Sequence, residues 1–149
     1  MVDVHCHLNF HAFEKDYDSV IKSAFEAGVT KIINVGTKID SSQKAVELAQ
    51  KYESLYAIIG VHPHHADKPL LGCHPDQVCG SNDWLSHLER IAKNPKVVAI
   101  GEIGLDYFSY KSNDIVDPKL QKEVFVKQIE LAHKLKLPLQ IHNRQAGKD

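Results

Sequence analysis

Two imidazoles stand two residues apart near the start of the chain, in Asp3-Val4-His5-Cys6-His7-Leu8. Along an extended strand, side chains alternate faces with a period of two, so His5 and His7 point the same way, about 7 Å apart. Strand twist and ring rotation allow both to reach one divalent cation from adjacent corners of its coordination sphere. Asp3 shares that face, and Val4, Cys6 and Leu8 fall on the other. The tripeptide alone fits a pair of ordinary surface or hydrogen-bonded histidines equally well, so the rest of the chain must decide.

Three other polar groups interrupt apolar runs. They are Gly60-Val61-His62-Pro63-His64-His65, Gly101-Glu102-Ile103-Gly104-Leu105-Asp106 and Ile141-His142-Asn143-Arg144. A glutamate inside a buried run is costly unless it is paired or metal-bound, and the flanking glycines leave backbone room beside it. Each group has a plain alternative. His142 could bond a backbone carbonyl in the core, Glu102 could cap a turn, and His62 and His64 could simply shape the turn around Pro63. Asp106 could orient an imidazole or cap a loop. Together, His5, His7, Glu102 and His142 form a competent set for zinc, manganese or a similar divalent ion.

The elements that must position them alternate between two periodicities. Short Ile- and Val-rich runs at Val2–Leu8, Lys31–Gly36, Leu55–Val61, Val97–Ile103 and Leu139–Asn143 read as buried parallel strands. Helical spacing links Tyr17, Val20, Ile21, Ala24 and Phe25, with Gly28 as a stop. Asp40-Ser41-Ser42-Gln43 is expected to cap a second helix carrying Ala45, Val46, Leu48, Ala49 and Tyr52. Trp84, Leu85, Leu88, Ile91 and Ala92 form a third, ending near Asn94-Pro95. Asp117-Pro118 starts a fourth, with Leu120, Val124, Leu131 and Leu135 on one side. Strand and helix alternate throughout, which calls for an α/β parallel sheet with right-handed crossovers. Each polar group then lies at a strand's C-terminal end, where α/β folds build their sites. The longest irregular stretch, 62–81, follows the third strand.

The four motifs Asp3–Leu8, Gly60–His64, Gly101–Tyr107 and Leu137–Arg144 resemble, in order and spacing, the TatD family of amidohydrolase-like metal-dependent hydrolases. The resemblance runs from residue 2 to about residue 147. It implies a (β/α)8 TIM-type barrel and a two-metal deoxyribonuclease or phosphodiesterase. On that pattern His5 and His7 hold one ion, Glu102 bridges two, and His142 holds the second, with zinc, magnesium or manganese as candidates. His62, His64 and Arg144 would face the substrate phosphate of a DNA end. A complete barrel takes about 250 residues. Residues 1–149 therefore read as a single incomplete domain, a partial barrel of about five parallel strands and four helices. The family's later ligands, a histidine on a downstream strand and an aspartate in a Thr-Asp-Ser-Pro-like motif, have no counterpart here. The alternative is a non-catalytic half-barrel that binds metal or self-associates to cover its open edge.

Composition bounds these readings. With 149 residues, 43% hydrophobic, 25% charged and a net charge of −1, the chain carries no basic arm for polyanions. No apolar run approaches a membrane span and no cationic leader comes first, so a cytoplasmic protein is expected. Three scattered cysteines fit a reducing compartment, and ten histidines are a surplus consistent with metal chemistry. A rival zinc site from Cys73, His74 and Cys79, with His64 or His65, would need an unusually wide cysteine gap; inert thiols on a surface loop are the ordinary alternative.

Overall fold

The structure is a computed structural model that describes residues 1–67, 83–110 and 114–149. Five strands, β1 (Val2–Cys6), β2 (Lys31–Val35), β3 (Leu55–Ile59), β4 (Val97–Asp106) and β5 (Leu139–Arg144), form one parallel sheet in sequence order. Among the described residues four helices connect them: α1 (Tyr17–Glu26), α2 (Ile39–Lys51), α3 (Asp83–Ile91) and α4 (Pro118–Leu135). The sheet curls into half a barrel. Gln140 on β5 donates its side-chain amide to the Val4 carbonyl on β1 (3.2 Å), joining the two edge strands across the concave face.

Strand alternation sorts the apolar residues into two layers. Ile32, Leu55, Ala57, Ile59 and Ile103 face the helices and pack with Ile21, Ala45, Leu88, Val124 and Leu131. Burying each such Ile, Leu or Val completely contributes roughly 1.5–3 kcal/mol. Val35, Ile58 and Ala99 make a smaller cluster on the opposite face. The two edges stay bare: Val4 on β1 is 58% exposed and Ile141 on β5 is 52% exposed.

Helix ends follow local chemistry. α1 stops at Gly28, whose amide bonds Phe25 O while Val29 N reaches Ala24 O, satisfying the last carbonyls. α4 starts as expected, with Asp117 Oδ1 accepting from Lys119 N at 2.9 Å. The expected cap at Asp40–Gln43 is displaced. α2 begins at Ile39, because Ser41 Oγ reaches back to accept from Thr37 N (2.9 Å) and Lys38 N (3.0 Å). Gln43 turns outward to Glu47 instead.

β4 also runs three residues beyond the expected Ile103. Leu105 and Asp106 pair with Asn143 and Arg144 of β5, so the ladder carries the acid to the strand's end. α4 differs more. Val124 and Leu131 are buried as expected, but Leu120 and Leu135 lie only part-buried, and Gln121 and Gln128 take the innermost places. The Cys73–Cys79 loop, and most of the 62–81 stretch, lie outside the described residues.

Candidate metal centre

His5 is the penultimate residue of β1 and His7 lies just past its end, and their rings meet edge-on. His7 Nδ1 lies 2.9 Å from the Val35 carbonyl, which only accepts. The ring proton is therefore on Nδ1, and the Nε2 lone pair is left free to bind a cation. His5 Nε2 lies 3.2 Å from His7 Nε2 and 3.4 Å from Glu102 Oε2, which is 4.0 Å from His7 Nε2. Ligands around a tetrahedral ion with bonds of about 2.0–2.1 Å stand roughly 3.4 Å apart. The three atoms match that spacing, so the donor set fits a divalent metal. Cys6 between them does not join it. Its thiol faces Ile33 O, and burial pushes its pKa up to about 11. Asp3 also stays out, accepting instead from the His5 amide.

Glu102 projects from a stretch of β4 that lies against β5. At Gly104, φ is +144° and an added Cβ would lie 2.0 Å from the His142 carbonyl, so the position excludes every side chain. The carboxylate divides its oxygens, Oε2 toward His5 and Oε1 toward His142 Nδ1 at 2.7 Å. Burial opposes its charge, but the hydrogen bond from His142 and the nearby His62 and His5 rings outweigh it and hold the pKa below the usual range.

His142 is held from behind. Its Nε2 lies 2.9 Å from Oδ2 of Asp106, a residue with no exposed surface. Bonds to Glu102 raise the imidazole's pKa against the opposing effect of burial, with Asp106 adding to the rise. Asp106 is itself held low: burial works against its charge, and the Phe108 amide and His142 overcome it. Both roles weighed for Asp106, orienting an imidazole and capping a loop, are therefore filled at once. His64 Nε2 also lies 3.1 Å from Asp106 Oδ2, although not aligned as a hydrogen bond.

His62 completes a second cluster, His62, Glu102 and His142, whose ligand atoms lie within 4.8 Å of one another. Its tautomer argues for a donor. Nδ1 accepts from the His64 amide at 3.1 Å, so the neutral ring carries its proton on Nε2. Burial and then the neighbouring His142 push its pKa down to about 4, keeping it neutral.

Arg144 stands further out. Its guanidinium lies 4.0 Å from the Phe108 ring centre, and Nη1 donates to Tyr110 Oη at 2.6 Å. Tyr110 in turn meets the His64 ring edge-on at 4.6 Å. These aromatics were not singled out from sequence, although Tyr107-Phe108-Ser109-Tyr110 directly follows the Glu102 motif. The seven sequence-derived residues thus come together at the C-terminal rim of the sheet: His5 and His7 in one group and His62 and His142 in another, the two sharing Glu102, with Arg144 joined to His64 through Tyr110.

The family model for TatD related DNase matches residues 2–149. The uncharacterized metal-dependent hydrolase YabD of Bacillus subtilis is 37% identical over all of this chain and 52% of its own length. The 3'-5' ssDNA/RNA exonuclease TatD of Erwinia tasmaniensis is 37% identical over 98% of the chain and 51% of its length. Among solved structures, the TatD homologue YjjV of Escherichia coli superposes with a TM-score of 0.81 at 33% identity, covering 99% of this chain and 52% of that one. The TatD family hydrolase of Entamoeba histolytica gives 0.83 at 26%, covering 100% and 51%. The chain spans about half the length of the relatives it matches. Among the described residues, no helix is long and apolar enough to cross a membrane.

Proposed function

Because the chain belongs to the TatD-related DNase family, we propose that it serves a metal-dependent hydrolase of phosphodiester bonds, a deoxyribonuclease acting at DNA ends. The observation that carries this reading is the convergence of His5, His7 and Glu102 at tetrahedral spacing, with the second Glu102 oxygen turned to His142. His5, His7 and Glu102 would hold one divalent ion, and Glu102 and His142 a second, as zinc, manganese or magnesium. When bound, such ions supply charge neutralisation on the phosphate and a water acidic enough to attack it. The protein's own residues do the rest. Glu102 fixes the spacing of the two positions through its divided oxygens. His62 offers its Nε2–H to a phosphate oxygen beside them, and His64 and Arg144 extend that contact outward. The Erwinia tasmaniensis and Escherichia coli relatives are named as 3'-5' single-stranded DNA/RNA exonucleases, which supports a nucleic-acid end as substrate. Scattered cysteines, with Cys6 a free thiol, support a cytoplasmic setting.

The test is end-labelled single-stranded DNA incubated with the full chain, first chelator-treated and then supplied with each metal. Metal-stimulated shortening that disappears in Glu102→Ala is expected. Unchanged shortening in that variant would sink the assignment.

A second reading, a half-barrel that binds metal without catalysis and self-associates, is favoured by one observation. Val2, Val4, Leu139 and Ile141 are exposed on the edge strands, as are Val126 and Ile129 on α4. It predicts a particle larger than 16.7 kDa in light scattering and metal binding without hydrolysis. An active monomer would exclude it.

A further inference from the structure

Two glutamines occupy the innermost face of α4, where apolar residues are expected: Gln121 is 1% exposed and Gln128 is fully buried. They stand seven residues apart, two turns along one face. Each closes a paired contact with the backbone at the end of a different strand. Gln121 accepts from Asp106 N (2.8 Å) and donates to Asp106 O (2.9 Å) and Val116 O (2.8 Å). Gln128 accepts from Val61 N (2.7 Å) and donates to Val61 O (3.0 Å). The neighbouring backbone is tied the same way. Ser42 Oγ accepts from Gly60 N and donates to Gly60 O, and His62 N bonds Thr37 O. A leucine or methionine would fill the same volume but take these partners from the Asp106 and Val61 backbone, so the side-chain amides both satisfy and fix those groups. What the amides add is a fixed backbone immediately beside a site residue.

We propose that Gln121 and Gln128 are positioning residues that serve two different parts of the centre. Gln121 fixes Asp106 and through it the His142 ring. Gln128 fixes Val61 and through it His62, the next residue. Neither touches the reacting atoms. The division of labour rests on the hydrolase reading for its consequences in metal and phosphate binding, but not for its effect on the two rings.

The experiment compares Gln121→Met and Gln128→Met in the full chain, with Gln121→Ser and Gln128→Ser as second variants whose smaller side chains leave room for a bridging water. Imidazole nitrogen NMR spectra of the metal-free protein give the first readout. Because the two rings lie 4.3 Å apart, centre to centre, Gln121→Met is expected to shift the His142 signals more than those of His62, and Gln128→Met the reverse. Calorimetric titration with manganese alone, then with inorganic phosphate on the loaded protein, gives the second. Gln121→Met should weaken metal binding by about 10–100-fold, the usual effect of losing an outer support of a ligand. Gln128→Met should leave metal affinity within about threefold and weaken phosphate roughly tenfold. If a Met variant does not fold, the Ser variant at that position carries the same comparison. Two variants that move both rings alike, or neither ring, would overturn the proposal. If the unmodified chain binds no manganese, the hydrolase reading fails, and the ring signals alone decide the positioning claim.

Discussion

The β1 side of the centre and the β4–β5 side are held by different means. On the β1 side, His5 and His7 turn their Nε2 atoms toward each other at 3.2 Å, and His7 is held by a backbone carbonyl and by stacking on Phe10. On β5, His142 is clasped between two carboxylates, one of them the fully buried Asp106, which is tied in turn to Gln121. Lone pairs brought that close need a cation or a proton between them, whereas an imidazole between two acids is already satisfied. On the proposed reading, one arm would be completed by the ion it binds, whereas the other is already held in place by its two carboxylates.

Removing each arm in the metal-free protein should expose that difference most strongly. His142→Ala leaves Glu102 and Asp106 facing each other's charge without the imidazole between them, and a stability loss of about 3–5 kcal/mol is expected. His7→Ala should stay within about 1 kcal/mol, since it removes one backbone contact and a stack on the exposed Phe10 ring while relieving a crowded pair of nitrogens. Urea unfolding in chelator measures both. Equal losses would mean that the two arms are built alike.

The pH dependence of metal-free stability should sharpen the contrast. His62 has its pKa pushed down to about 4, so the unfolded chain takes up a proton below pH 6.5 that the fold refuses. Stability therefore falls as pH drops from 6.5 toward 4, by about 3 kcal/mol at most. Glu102 and Asp106, both held low, add to the acid-side loss, which continues as pH falls through their folded pKa values. His142 has the opposite sign. Its pKa is raised, so its contribution is present below pH 6.5 and is lost as pH climbs through the folded value. A maximum near pH 6.5 in urea midpoints is expected. His62→Ala should flatten the acid limb and His142→Ala the alkaline one.

A smaller effect separates the arms once metal is present. Asp106→Asn keeps an acceptor for His142 Nε2 but removes the charge behind the ring. Calorimetry should show one manganese-binding event weakened about 10–100-fold and the other, at His5 and His7, within about threefold. Parallel weakening of both events would mean that Glu102 transmits the change across the centre.

How much of this was legible in the sequence follows from where each residue type is tolerated. His5, His7, Glu102 and His142 stood out because imidazoles and a carboxylate are anomalous in strand-period apolar runs. Their common rim then followed from the alternation of strands and helices. Gln121 and Gln128 did not stand out, because a glutamine on a helix ordinarily reads as solvent-facing. Only the fold shows that their partners are unpaired backbone groups 15 and 67 residues away. The cap of α2 was misplaced for a related reason: Asp40, Ser41 and Ser42 are all capping types, and which oxygen reaches the free amides depends on the chain's entry angle. Phe108 and Tyr110 carry no such signal, because aromatic residues after a strand usually mean core, whereas here they hold a cation at the rim.

That rim carries the smallest effect, and it tests whether Arg144 works as a charge or as a shaped group. Its guanidinium lies over the Phe108 ring and donates to Tyr110, which touches His64, so its position is linked to the centre through aromatic contacts. An exposed cation on an aromatic face contributes about 0.5–1 kcal/mol. Arg144→Lys keeps the charge but loses the flat face and the fork of donors. Binding of single-stranded DNA should then weaken by about two- to fivefold, with its salt dependence unchanged and manganese affinity untouched. Arg144→Ala should weaken binding further and reduce the salt slope by about one contact. If lysine binds as well as arginine, the stack on Phe108 only parks the side chain. If lysine behaves like alanine, the aromatic contacts set where the charge can act, and the rim is as preorganised as the β5 side of the centre.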